Sequence, residues 1–463
     1  MLQTLRSTTD RVRVPVALGR GVVFWRAFAL YPDGVESGAS HTWEFAVGSR
    51  DRGVDTAWGG LHDFNGDGYD DIVVTSRLQR GPDRCPGPAH LYVYTGSSVG
   101  LLPTPASDIE TPTNNTTDGI QFYVDTGGDF NGDGLGDWIV HSYGSSGYRN
   151  LWIFYGTRGR LPNRPDHIVA DVLCERAFPG HADHGDVNGD GFSDLVTTSY
   201  GNYLVFLGSI EGLSDRGARA FFPLDSYGAS SLRDLDHDGF DDFQTIMASE
   251  MVLMSIYWGG ERYVGDWPAS AAFPVVGGRT LRGYLHPLGD LDGDGVADAW
   301  FSVGNSVGVV RGTHGRREVN LVQEVSAPER GVPYFGDGSS SGGDLDGDGL
   351  SDLAVGAPTA PLEPRTEFDG PGRVYVFLAT DGRISPTPNA ILAPPPGGGY
   401  FGRGVTIRSD VNGDGVEDLV AGPVYSGGYS IGLTIRLGSA KGLGASTVLV
   451  APALGTTFGE AIH

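Results

Sequence analysis

A nonapeptide of the form D-x-[D/N]-x-D-G-x-x-D occurs seven times in this chain of 463 residues. The copies start at Asp63, Asp129, Asp186, Asp234, Asp290, Asp344 and Asp410, with spacings of 66, 57, 48, 56, 54 and 66 residues. Chance does not give seven such strings at a quasi-regular period. Self-similarity at this period marks a solenoid, a propeller or an array.

The flanks repeat as well. A short β-branched run follows the motif directly, as in Ile72-Val73-Val74, Trp138-Ile139-Val140 and Leu353-Ala354-Val355. An alternating segment follows that, for example LYVYTG from Leu91, LWIFYG from Leu151 and VYVFLA from Val374. Another strand precedes the motif. Each unit therefore reads as strand, acidic loop, strand, turn, strand, turn, strand, which is one four-stranded antiparallel blade.

A lone blade cannot bury both of its faces. Packing blades around an axis buries them against one another and leaves only short edges. The fold expected is all-β: a seven-bladed β-propeller of four-stranded antiparallel blades, with a solenoid as the weaker alternative because solenoid repeats are shorter. The propeller is expected over residues 51–463. Residues 1–50 carry two strand-like segments, 21–30 and 41–47, joined by Pro32-Asp33-Gly34. They read as an N-terminal β-hairpin segment, a remnant of a fibronectin type III-like sandwich, packed outside the ring or lending it a strand. Residues 457–463 look like the opening strand of a further repeat, so eight blades are the alternative.

The loops carry the chemistry. Oxygen side chains at positions 1, 3 and 5 curl round one point, glycine at position 6 permits the sharp turn, position 7 offers its carbonyl and position 9 a further carboxylate. The candidate ligands are Asp63, Asn65, Asp67 and Asp71 in loop 1; Asp129, Asn131, Asp133 and Asp137 in loop 2; Asp186, Asn188, Asp190 and Asp194 in loop 3; and Asp234, Asp236, Asp238 and Asp242 in loop 4. They continue with Asp290, Asp292, Asp294 and Asp298 in loop 5; Asp344, Asp346, Asp348 and Asp352 in loop 6; and Asp410, Asn412, Asp414 and Asp418 in loop 7. An all-oxygen, flexible set selects Ca²⁺ over Mg²⁺, and the lack of His or Cys disfavours Zn²⁺. Together these positions hold 24 carboxylates, against a formal net charge of −25. Up to seven Ca²⁺ ions are expected, in a structural role. Loop 4 departs from the pattern, with His237 where the other copies have glycine; that ring is expected in solvent.

With strand, acidic loop, Ala-Val-Gly-Ala-Pro from Ala354, and Phe335-Gly336 upstream, the chain resembles the FG-GAP repeats of the integrin α-subunit propeller and related repeats of bacterial surface proteins. The resemblance runs over roughly residues 52 to 463. The Phe-Gly and Gly-Ala-Pro signatures stand intact in the sixth copy, and the seventh has Ala421-Gly422-Pro423. The resemblance implies the propeller fold, the calcium loop and a role in adhesion.

The remaining features bound the function. An acidic chain lacks the basic face a phosphate backbone needs, so nucleic acid is not an expected partner. No apolar run is long enough for a membrane span. The first residues, with Arg6, Asp10, Arg11 and Arg13, show no signal-peptide core. Cys85 and Cys174 allow one disulfide or two free thiols. No G-x-S-x-G, H-E-x-x-H or P-loop string occurs. His181 and His184, beside Asp183 and Asp186, form one local cluster and read as a loop-surface pair. The expectation is a monomeric, extracellular or cell-surface, calcium-binding module for a protein or carbohydrate ligand, not an enzyme. A lectin in the narrower sense, or a hydrolase with its site at the central channel, are the alternatives.

Overall fold

The computed structural model describes residues 4–5, 21–25, 27–31, 34–35, 37, 43–47, 62–78, 89–110, 121–143, 151–169, 183–199, 202–214, 218–220, 226–248, 252–260, 275–276, 279–280, 285–303, 305–315, 319–328, 332, 335–336, 340–358, 370–394, 400–423, 432–450, 452 and 456–462. All of its regular structure is β-strand. Cys85, Cys174, His181 and the Trp58-Gly59 pair lie outside the described residues.

Seven small antiparallel sheets follow one another. Blade 2 is built from Gln121–Gly128, Asp137–Tyr143, Leu151–Phe154 and His167–Val169, and blade 3 from Asp183–Gly185, Asp194–Ser199, Asn202–Phe206 and Ala218–Ala220. Blade 4 shows three strands, Ser226–Arg233, Asp242–Ala248 and Val252–Tyr257. Blade 5 consists of Leu285–Gly289, Asp298–Val303, Ser306–Arg311 and Asn320–Ser326. Blade 6 has Ser340–Gly343, Asp352–Ala357, Arg373–Phe377 and Ala390–Leu392, with a small hairpin, Ala379–Thr380 and Arg383–Ile384, after its third strand. Blade 7 is Phe401–Ser409, Asp418–Pro423, Gly432–Arg436 and Ser446–Val450.

Blade 1 is composite. Its second to fourth strands are Ile72–Leu78, Ala89–Tyr94 and Ser107–Glu110, and its first is Thr456–Ile462, with Arg77 opposite Thr457 and Val74 opposite Ile462. The ring thus closes at seven blades. Residues 457–463 do open a repeat, as their sequence says, but the repeat they open is the first one. The eight-bladed alternative falls, and so does the idea that the N-terminal hairpin supplies the closing strand: Gly21–Trp25 pairs with Trp43–Val47. The seven first strands lie side by side in cyclic order, that of blade 1 against that of blade 2, so they form the wall round the axis.

The core is a set of layers between blades, because the middle strands of the blades bury both faces. Ile72 and Val74 pack with Val420, Leu433 and Ile435 of blade 7, while Val73, between them in sequence, packs with Trp138, Val140 and Phe154 of blade 2. The period of two sends alternate residues to opposite neighbours. Trp138 and Phe154 stack with centroids 3.7 Å apart and planes within 1°. Trp152 and Trp258 are buried, as expected of core residues.

Candidate metal centre

In blades 2 to 7 the acidic nonapeptide links the first and second strands, and in blade 1 it leads into the second strand, so all seven sit on one rim. Their backbone is fixed by glycine at two positions. Position 6 has a φ of 85° to 91° in every loop, from Gly68 to Gly415. Position 4 is left-handed too: 71° at Gly66, 72° at Gly347 and 57° at His237. A side chain there strains the backbone unless a local contact offsets it. His237 is buried, not in solvent as its sequence position suggests, and its ring meets His314 edge-on at 3.9 Å between centroids.

Three backbone grips recur in all seven copies. The Oδ2 of position 1 accepts the position 6 N–H at 2.7–3.0 Å, from Gly68 onto Asp63 to Gly415 onto Asp410. The Oδ1 of position 5 accepts the N–H of position 7 at 2.9–3.2 Å. The Oδ2 of position 9 accepts the N–H of position 2 at 2.8–3.1 Å.

Position 9 does a second job. Its Oδ1 accepts the N–H of a residue shortly after the third strand, 2.8 Å from Gly156 to Asp137 and 2.7 Å from Ala379 to Asp352. Asp71, Asp137, Asp194, Asp242, Asp352 and Asp418 are fully buried. Burial, then the neighbouring carboxylates, pushes these acids up: to about 8 for Asp71, Asp298 and Asp352, and to about 7 for Asp418. Burial and crowding thus disfavour the ionised form of these acids, which a cation would favour.

The convergence needed for an ion is present. Carboxylate oxygens of Asp290, Asp292 and Asp294, of Asp344, Asp346 and Asp348, and of Asp234, Asp236 and Asp242 lie within 4.8 Å of one another. In the loops with asparagine at position 3, the amide bonds a carboxylate instead, as Asn131 Nδ2 does to Asp133 Oδ2 at 3.2 Å and Asn188 Nδ2 to Asp190 Oδ2 at 3.1 Å. An all-oxygen donor set of this density fits a hard divalent cation.

The loops are also stitched to one another, which their spacing in sequence does not reveal. The position 8 N–H donates to the position 1 carbonyl of the preceding blade, as Ser193 to Asp129, Asp241 to Asp186 and Asp70 to Asp410. The position 8 side chain often returns the bond: Asp241 Oδ2 accepts from Asp186 N–H at 2.9 Å, Asp70 Oδ2 from Asp410 N–H at 2.8 Å and Glu417 Oε2 from Asp344 N–H at 2.5 Å. A polar residue at position 8 in several copies is the sequence signal for this.

One cluster lies on the axial wall. His184 is buried on the first strand of blade 3, so it is not a surface residue. Its Nδ1 lies 3.0 Å from Asp125 Oδ2 in blade 2, and its Nε2 lies 3.4 Å from Nη2 of Arg233 in blade 4. Asp183 is close as well, 3.7 Å from Nδ1, and the three acids and bases are near enough to hold a metal. The proton inventory decides otherwise. A guanidinium can only donate, so Nε2 accepts and Nδ1–H points at Asp125. A metal on Nδ1 would displace that proton and set Nε2–H against an arginine N–H. The trio is a polar tie across three blades.

A closed ring of seven blades, each with an acidic loop on the same rim, defines the class: a repeat β-propeller with cation-type loops. The FG-GAP repeat family matches residues 335–377, the sixth copy. Integrin alpha-PS2 of Drosophila melanogaster is 36% identical over 157 residues, 31% of this chain and 10% of that protein. Integrin alpha-IIb of Mus musculus is 32% identical over 195 residues, 39% of this chain and 18% of that protein. The chain spans less than a fifth of these relatives. A lectin of Agrocybe aegerita, solved for its recognition of non-reducing terminal N-acetylglucosamine, superposes with a TM-score of 0.49 at 14% identity, over 83% of this chain and 91% of that one. The chain is thus a seven-bladed β-propeller that is similar to the FG-GAP repeat in its sixth copy and to integrin α-subunits over about a third of its length. Among its described residues no helix is long and apolar enough to cross a membrane.

Proposed function

We propose that the chain is an extracellular adhesion or ligand-binding module, loaded with structural Ca²⁺, that takes a protein or carbohydrate on the end of the ring opposite the acidic loops. The supporting observation is a contrast between the two ends. In blades 2 to 7 the first-to-second connection is always eight residues, as in 129–136 and 410–417. The second-to-third connections, at the other end, run from two residues (200–201) to fifteen (358–372). A uniform rim suits a scaffold; a rim of unequal loops suits recognition.

In this reading the side chains at positions 1, 3, 5 and 9 and the position 7 carbonyl hold the ion in each loop. Bound calcium neutralises the converging carboxylates and fixes the loop that joins one blade to the next. The chain's own residues do the rest: position 9 clamps the loop to its blade, and position 8 ties it to the preceding one. The propeller occupies residues 51–463, with 1–50 as a separate hairpin segment. It acts as a monomer and without catalysis. Filling at weak, extracellular-type affinities of roughly 10⁻⁴ to 10⁻³ M would place it where calcium is abundant. Calorimetric titration with Ca²⁺, followed by glycan-array and protein-ligand screening of the loaded form, tests this. Binding of several ions and ligand capture abolished by chelation are expected. A protein that takes up no calcium, or a ligand held by the acidic rim, would overturn it.

A further inference from the structure

Loop 5 differs from its neighbours in one respect that bears on charge. Arg311, the last residue of the third strand of blade 5, places Nη1 3.0 Å from Oδ2 of Asp292, the position 3 acid. Its Nη2 donates to the carbonyl of Gly382 at 2.6 Å, in the small hairpin of blade 6. A guanidinium thus stands among the oxygens that are ion ligands in the other copies. It joins blade 5 to blade 6 as well, the task assigned above to the ion.

Loop 6 is the internal comparison. It has the same four aspartates at the same positions, and its oxygens converge equally closely. The residue matching Arg311 there is Leu378, directly before the Ala379 whose N–H binds Asp352, just as Arg311 directly precedes the Gly312 whose N–H binds Asp298. Asp344 and Asp348 accept from backbone N–H groups of their own loop.

We infer that Arg311 is a built-in cation for loop 5, so that this loop binds Ca²⁺ far more weakly than loop 6 and the junction of blades 5 and 6 is held without metal. The inference rests on the calcium reading above. A unit charge about 5 Å from the ion position weakens divalent binding by on the order of tenfold even at the dielectric of water, and by more at the lower dielectric of a protein surface.

The test counts ions on the intact chain by native mass spectrometry and calorimetry with Ca²⁺ alone. Asp294→Ala, at the position that is aspartate in every copy, is expected to leave the number of tightly held ions unchanged, whereas Asp348→Ala, its match in loop 6, removes one. Arg311→Leu, which installs the blade 6 residue, is expected to add one tight ion and to raise the affinity of the weakest site at least tenfold. Loss of one tight ion in Asp294→Ala equal to that in Asp348→Ala would overturn the inference, as would an unchanged isotherm for Arg311→Leu. If Arg311→Leu does not fold, the two aspartate variants decide alone. A wild-type chain that binds no calcium would instead remove the loop reading itself, and is told apart by the first titration.

Discussion

In every repeat the last aspartate of the loop holds two backbone amides, one inside the loop and one beyond the third strand. Asp352 accepts from Leu345 N–H at 2.9 Å and from Ala379 N–H at 2.7 Å, and is buried. Asp352→Ala would leave two buried amides without partners, at about 1–3 kcal/mol each; urea denaturation of the variant should show a loss of that order, in calcium or without it. The raised acidities give a pH prediction. Asp71, Asp298 and Asp352 sit near 8 in the folded metal-free chain against 3.8 in the unfolded one. Folding therefore holds protons more tightly, and that stability is complete below the unfolded value and lost as pH rises through the folded one. The chelated protein should melt higher at pH 5 than at pH 8, and saturating Ca²⁺ should rescue the pH 8 sample most. A chelated melt that rises with pH across this window would contradict the assignment. At this scale the acidic loop was legible in the sequence because its polar positions fall within nine residues. His184 and His237 were not, since their burial comes from Asp125, Arg233 and His314 in other blades.

At the level of strands and turns, the hydrophobic alternation was readable because it is local: Ile72-Val73-Val74 declares two buried faces. What it cannot declare is which neighbour each face meets. Trp138 illustrates the cost of an error, since it is fully buried, stacks on Phe154 and packs with Val73 of blade 1. Trp138→Ala should destabilise by about 3–5 kcal/mol, measured as a shift of the denaturant midpoint at constant slope; a loss under 1 kcal/mol would mean the interblade layer is loosely packed. The inter-blade stitching was hidden for the same reason. Glu417 reads as a variable residue inside a motif, and only the ring brings it to the amide of Asp344.

Over the whole molecule, repeat number was legible and closure was not. Counting motifs gives seven units, but the unit lacking its first strand and the strand lacking its unit stand at opposite ends of the chain. Chelation should lower Tm by many degrees if the rim ions hold the blades in register, and differential scanning calorimetry with and without Ca²⁺ measures it. Equal melts would deny the ions a scaffold role.

The pairing of Arg77 with Thr457 spans some 380 residues. On a ribosome that releases its product from the N-terminus forward, Ile72–Leu78 emerges long before its partner exists. Through nearly all of synthesis that strand presents an open edge, able to capture the tail of another copy as readily as its own. Crowded polysomes should therefore favour chains that exchange their last strand, and slow dilution should favour chains that keep it.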